Sequence, residues 1–333
     1  MYFMRNVWIH PGILEKFMKK IIVMATVLSL IIACAPTTSS RYREGDNRGQ
    51  QTSLTVADEK RLADAALPEL ARDYPAAKSA ELQNYVSSIG RKIVLANDLE
   101  GKPYHYDFTV VDSKNPNAFA MPAGKIFVTA SLLEVAANEA ELAGVIGHEI
   151  GHVVARHAAE RMYVMEKEQG KAWLYGAGGG ILGGVVGYGL GKVICGEDDK
   201  VCYVKAAAIG AAAGVGGGLL VQKYRFLVNS REDEMEADRI GFRLAVNSGY
   251  DKDKVGDFYK KLLQIEKKGG GQNDPLTRKL ADALSTHPPS EERVRQMEEL
   301  AAARPVVKNA VVDSPQFRKA KKIAAESGAA ERR

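Results

Sequence analysis

No compact cluster of lysine and arginine interleaved with aromatic residues occurs in these 333 residues, and the net charge is only +5. That argues against a nucleic-acid partner. The apolar run at residues 21–33 is too short for a comfortable transmembrane helix. Only three cysteines are present, and Cys195 and Cys202 have no further cysteine or histidine near them in sequence, where a zinc site would want more ligands. Histidine is equally sparse, at six residues. With 46% hydrophobic and 26% charged residues, the chain can bury one substantial core but has no room for a second large domain.

Against that scarcity, two of the six histidines fall in one short motif, His148-Glu149-Ile150-Gly151-His152. From this composition, a His-Glu-x-x-His string arises by chance on the order of once in a hundred such chains. Its surroundings predict a helix. Asn138 with Glu141 forms a candidate N-cap and capping box, and Leu142, Val145, Ile146, Ile150, Val153 and Val154 form an apolar stripe. Helical residues four apart share a face, so His148 and His152 can bind one zinc ion. Glu149 then stands beside the activated water as general base.

A catalytic zinc takes a third protein ligand and keeps one position open. The metzincin solution would need Gly at 155 and His at 158, where Ala155 and Ala158 stand. His157, five residues after His152 and far round a continuous helix, reads as a surface or local hydrogen-bonding residue. A second acidic helix is the remaining source. From a Ser230 N-cap, Glu234, Asp238, Gly241 and Ala245 share one stripe, acids beside residues small enough for close packing. Acids on a packing face cost several kcal/mol unless paired or bound to metal. Glu234 is therefore the candidate third ligand and Asp238 the candidate acceptor that orients a ligand histidine. Glu232, Asp233 and Glu236 are expected in solvent. The competing reading is a surface helix paired through Arg231 and Arg239.

The HEIGH motif followed by SREDEMEADRIG resembles the zinc metallopeptidases that include the CAAX prenyl proteases, the HtpX-type and Oma-type proteases and bacterial periplasmic lipoprotein proteases. The resemblance covers about residues 80–300, and it also rests on the stretches NAFAMPAG at 117–124 and STHPPSEER at 285–293. It implies a mostly helical α+β, zincin-like fold with one Zn2+ per chain, Glu234 as ligand, and His287 near the active site. His287 either steadies an oxyanion, caps the open metal position in a latent state, or merely starts the helix after Ser290. The resemblance further implies proteolysis of unfolded or misassembled envelope proteins. A lipoprotein of the same fold that acts by binding, as a chaperone-like assembly factor with a latent protease site, is the alternative. No tetratricopeptide array follows the catalytic region, unlike in some periplasmic relatives, which weakens any transfer of their partners.

Other segments complete the expected layout. Residues 104–111 alternate apolar and polar side chains as a half-buried strand, with 125–130 as its neighbour. A small sheet beside the zinc helix could bind extended peptide by backbone pairing, with Asn117, Ala118 and Phe119 lining the cleft. Residues 79–97 and 252–268 read as helices. Residues 18–33 read as a lipoprotein signal peptide, after a possible over-extended start at 1–17. The ending Ile31-Ile32-Ala33-Cys34 resembles a lipobox, so Cys34 is the candidate lipidation site, on the periplasmic side of the outer membrane. An uncleaved signal anchor is the alternative. Residues 34–53 form a tether, 54–300 the peptidase domain and 301–333 a helical or disordered tail. Within the domain, 172–222 forms a Gly-rich helical hairpin, either buried or touching the membrane, with a transmembrane hairpin as the alternative. Cys195 and Cys202 at its tip are a candidate disulfide in an oxidising compartment, or else a reduced pair. Oligomeric state is left open.

Overall fold

The computed structural model describes residues 47, 50–52, 54–164, 229–267 and 280–330. Cys34, the signal segment, the Gly-rich hairpin and the Cys195 and Cys202 pair lie outside the described residues. The described part comprises α1 (Val56–Asp73), α2 (Ala80–Ala96), β1 (Asp107–Val111), β2 (Ala118–Met121), β3 (Lys125–Thr129), α3 (Ala130–Val135), α4 (Glu139–Val154), α5 (Arg231–Asn247), α6 (Asp257–Lys267), α7 (Ala281–Thr286), α8 (Glu291–Ala302) and α9 (Pro315–Ala330). It is a mostly helical α+β fold with a small open sheet. No described helix is long and apolar enough to cross a membrane.

Alternation sets the sheet. Tyr104, Tyr106, Phe108 and Val110 are buried while His105 and Asp107 are exposed. β1 and β3 are sheet neighbours, but they run parallel, Asp107 opposite Lys125 through Val111 opposite Thr129. β2 pairs antiparallel with the other side of β3, giving the order β1-β3-β2. β2 is thus an edge of this sheet, and it packs beside α4.

Helix α4 lies inside the described part of the protein, buried all round from Glu139 to Val153. Its N-cap is Asn138, whose side chain accepts from Glu141 N at 2.9 Å. The reciprocal half of a capping box is not formed. Glu141 instead accepts from Ala137 N and from Lys261 Nζ, both at 2.8 Å, because the buried carboxylate finds a cation on α6. α5 is the helix most closely packed against α4. A Cβ at Gly241 would lie 2.5 Å from His148 N, and one at Gly147 would lie 2.8 Å from Gly241 O. The two helices meet backbone to backbone, which draws the acidic stripe of α5 onto the histidines of α4.

Three further differences from the sequence expectations have local causes. α6 begins at Asp257 rather than 252, since Asp251 organises a turn by accepting from Asp253 N and Val255 N. Asp233 and Glu236, expected in solvent, are buried. Asp233 caps α5 through Ser230 N and pairs with Arg161 at 2.9 Å, and Glu236 faces His157. His157 itself is buried because α4 does not continue to it: Arg156 takes φ 52° and turns the chain back toward His152. At the C-terminus, α9 packs Phe317, Ala320 and Ala324 into the main core.

Candidate metal centre

The α4 spacing puts His148 Nε2 and His152 Nε2 2.9 Å apart. Glu234 reaches both across the glycine seam, with Oε2 3.3 Å from His148 Nε2 and Oε1 3.3 Å from His152 Nε2. The fourth group is His287, which follows the short helix α7 and precedes Pro288. Its Nδ1 lies 3.2 Å from His148 Nε2 and 3.2 Å from Glu234 Oε2. One ligand atom from each of the four lies within 4.8 Å of all the others. Two histidine nitrogens and a carboxylate oxygen that converge inside the protein, with a third histidine beside them, form a donor set that fits a divalent metal.

Glu149 is not part of this cluster. Its carboxylate faces His287 Nε2 at 3.4 Å and accepts from the Ala120 backbone N–H on β2. Burial pushes its carboxyl up, against the lowering pull of His287 and His148. Burial alone would lower His148, but Glu234 and Asp238 outweigh it and raise the imidazole to about 9. His152 is held well below the usual histidine range by burial and by His148. Burial opposes ionisation of Glu234 too, yet His287, Arg293 and His148 keep it well below the ordinary carboxylate range.

Each of the two α4 histidines is held from behind. His148 Nδ1 contacts Asp238 Oδ1 at 2.8 Å, and His152 Nδ1 contacts His157 Nδ1 at 2.8 Å. Arg293, 1% exposed, binds the acidic stripe. Its Nε and Nη2 donate to the two oxygens of Asp238 at 2.6 and 2.7 Å, and its Nη1 lies 2.9 Å from Glu234 Oε2. The guanidinium also stacks over the Tyr259 ring, 4.7 Å from its centroid.

The structure divides the expected cleft residues. Phe119 lines the cleft that opens over Glu149 and His152, and its ring stacks on Phe127. Asn117 and Ala118 line a smaller pocket behind His287 with Leu132 and Tyr259. Asn117 is buried there, its N–H donating to Thr129 Oγ1 and its Oδ1 accepting from Thr286 Oγ1. Sequence reasoning passed over Asn229, whose Nδ2 is 3.2 Å from His152 Nε2, and over Arg293. Arg293 had a readable signal, since it shares an i, i+4, i+8 stripe with Met297 and Ala301, where an unpaired charge would be costly.

A buried His/His/Glu/His cluster with this spacing on a mostly helical α+β scaffold defines a zincin-like metallopeptidase fold. The chain belongs to peptidase family M48, whose model it matches over residues 80–301. Among curated proteins it is 24% identical to the beta-barrel assembly-enhancing protease of Yersinia pestis over 282 residues, 82% of this chain and 52% of that protein. It is 27% identical to the same-named Escherichia coli K12 protein over 243 residues, 73% of this chain and 44% of that one. It is also 27% identical to the mitochondrial metalloendopeptidase OMA1 of Schizosaccharomyces pombe over 274 residues, 79% of this chain and 66% of that protein. The chain spans about half the length of the assembly-enhancing proteases it matches. These two groups, rather than the CAAX prenyl proteases, support the placement within the family.

Proposed function

We propose that the chain is a zinc-dependent metalloendopeptidase that binds one zinc through His148, His152 and Glu234, with Glu149 as general base. The observation that carries this reading is the convergence of four buried ligand atoms within 4.8 Å beside a fifth, non-ligating carboxylate. Zinc held there supplies a Lewis acid that polarises the scissile carbonyl and brings the pKa of water toward 7. Glu149 takes the proton of the attacking water and passes it to the leaving amine. Asp238 keeps His148 in the tautomer whose Nε2 is free to ligate. An extended substrate pairs with the β2 edge, whose Ala120 N–H already points at Glu149 and whose Phe119 lines the cleft. The direct test is cleavage of a casein-type substrate: activity is expected to vanish with a chelator and return with zinc, and activity indifferent to chelation would refute the assignment.

His287 supports a latent form of that enzyme. Catalytic zinc sites keep one position open, whereas four protein ligands close the site. In the conformation described here His287 occupies the fourth corner, so it must withdraw before substrate can enter. His287→Ala is expected to raise casein cleavage several-fold without removing zinc. Unchanged activity and unchanged zinc affinity would leave Thr286 to Ser290 with only a helix-starting role.

The biological setting rests on the lipobox-like ending at Cys34 and on the names of the relatives. They support a lipid-anchored protein on the periplasmic side of the outer membrane, acting on unfolded or misassembled envelope proteins. The closed His287 corner also favours a second reading, an assembly factor that binds clients while its protease rests. Full biological complementation by Glu149→Gln would select that second role.

A further inference from the structure

His157 and Glu236 have no part in the peptide chemistry above, yet they are 1% and 0% exposed. A polar pair is buried at such cost only when each group is satisfied. His157 Nε2 lies 3.3 Å from Glu236 Oε2 and 3.7 Å from Asp233 Oδ1, and Asp233 is also engaged by Arg161. The other ring nitrogen, Nδ1, meets His152 Nδ1 at 2.8 Å. The left-handed turn at Arg156 brings them together, a conformation unfavourable for a residue other than glycine.

Proton order makes this contact specific. His152 aims Nε2 at His148 and Glu234, so that nitrogen must keep its lone pair to bind metal. The proton of neutral His152 is then on Nδ1, where it donates to His157 Nδ1. His157 must accept there, which places its own proton on Nε2, and that N–H donates to the Glu236 carboxylate. The reverse order would put a proton of His152 into the ligand cluster and remove a donor from the metal.

We infer that His157 is a positioning residue for the metal, fixing the tautomer and ring plane of His152, and that Glu236 fixes His157 in turn. The two ligand histidines are thus held by different devices: Asp238 receives His148 directly, while a histidine and a carboxylate in series receive His152. This inference rests on the zinc reading above.

Zinc affinity of the full chain, measured by competition with a chelator, tests it. His157→Leu removes the acceptor and is expected to raise the zinc dissociation constant roughly 10- to 100-fold. His157→Asn places a carbonyl oxygen where Nδ1 stands and is expected to recover most of that loss. Wild-type affinity in His157→Leu, or an equal loss in both variants, would reduce His157 to a space-filling residue and overturn the inference. Long-range 1H–15N spectra of the zinc-loaded wild type need no variant to fold: the proton is expected on His157 Nε2, and a proton on Nδ1 would be contrary. A wild-type chain that takes up no zinc would overturn the metal reading, and this inference with it, whereas the other outcomes bear on His157 alone.

Discussion

Replacing Glu149 by Gln is expected to lower kcat for a casein-type peptide by roughly two to four orders of magnitude while zinc content stays at the wild-type level. The amide keeps the volume of the carboxylate but cannot take a proton from water. Glu149 has no place among the four clustered atoms, so the proposed metal donors are untouched. Its surroundings accept the change, since the neighbouring Ala120 N–H and His287 can still meet an amide oxygen. Steady-state kinetics with parallel metal analysis checks the split. Retained activity would move the base elsewhere, and lost zinc would make Glu149 a ligand.

The second large effect lies outside the reacting atoms. Arg293→Met removes the cation shared by Asp238 and Glu234, both fully inside the protein, and is expected to cost about 3–5 kcal/mol of folding stability. The side chains are similar in length, so the loss comes from two carboxylates left facing each other rather than from a cavity. Arg293→Lys should recover only part of it, because an ammonium cannot span both oxygens of Asp238 and reach Glu234 together. Urea unfolding of the metal-free chain measures this; a change below about 1 kcal/mol would show that the pair is not buried as described.

The two variants separate what local pattern reveals from what only tertiary packing reveals. HEIGH is legible because both histidines and the proposed base lie within five residues on one helix. Glu234 and Asp238 are legible because they share a stripe with Gly241, and backbone contact at that glycine brings the stripe against His148. Counting one stripe, however, assigns a single packing face to α5. The helix is covered on a second side by the turn after α4, which is why Asp233 and Glu236 are buried. Of the two readings of His157, the local hydrogen bond is present, to His152, and the surface position fails for a related reason. A left-handed residue at Arg156 has no signature when that residue is not glycine, and treating α4 as continuous sends His157 the wrong way. Capping residues shift similarly: Asn138 caps α4, but Glu141 answers to Lys261, about 120 residues away. Strand positions followed from alternation, whereas the parallel pairing of β1 with β3 needed β2 to take the far side, which no local pattern encodes.

Metal analysis of the purified chain under a competing chelator, wild type beside Glu234→Ala, bears most directly on the proposed His-His-Glu centre. Wild type is expected to hold one zinc per chain, and Glu234→Ala to lose it while remaining folded. A Glu234→Ala chain that keeps its zinc as firmly as wild type would contradict the ligand set, and a wild type that binds none would contradict the metal centre itself.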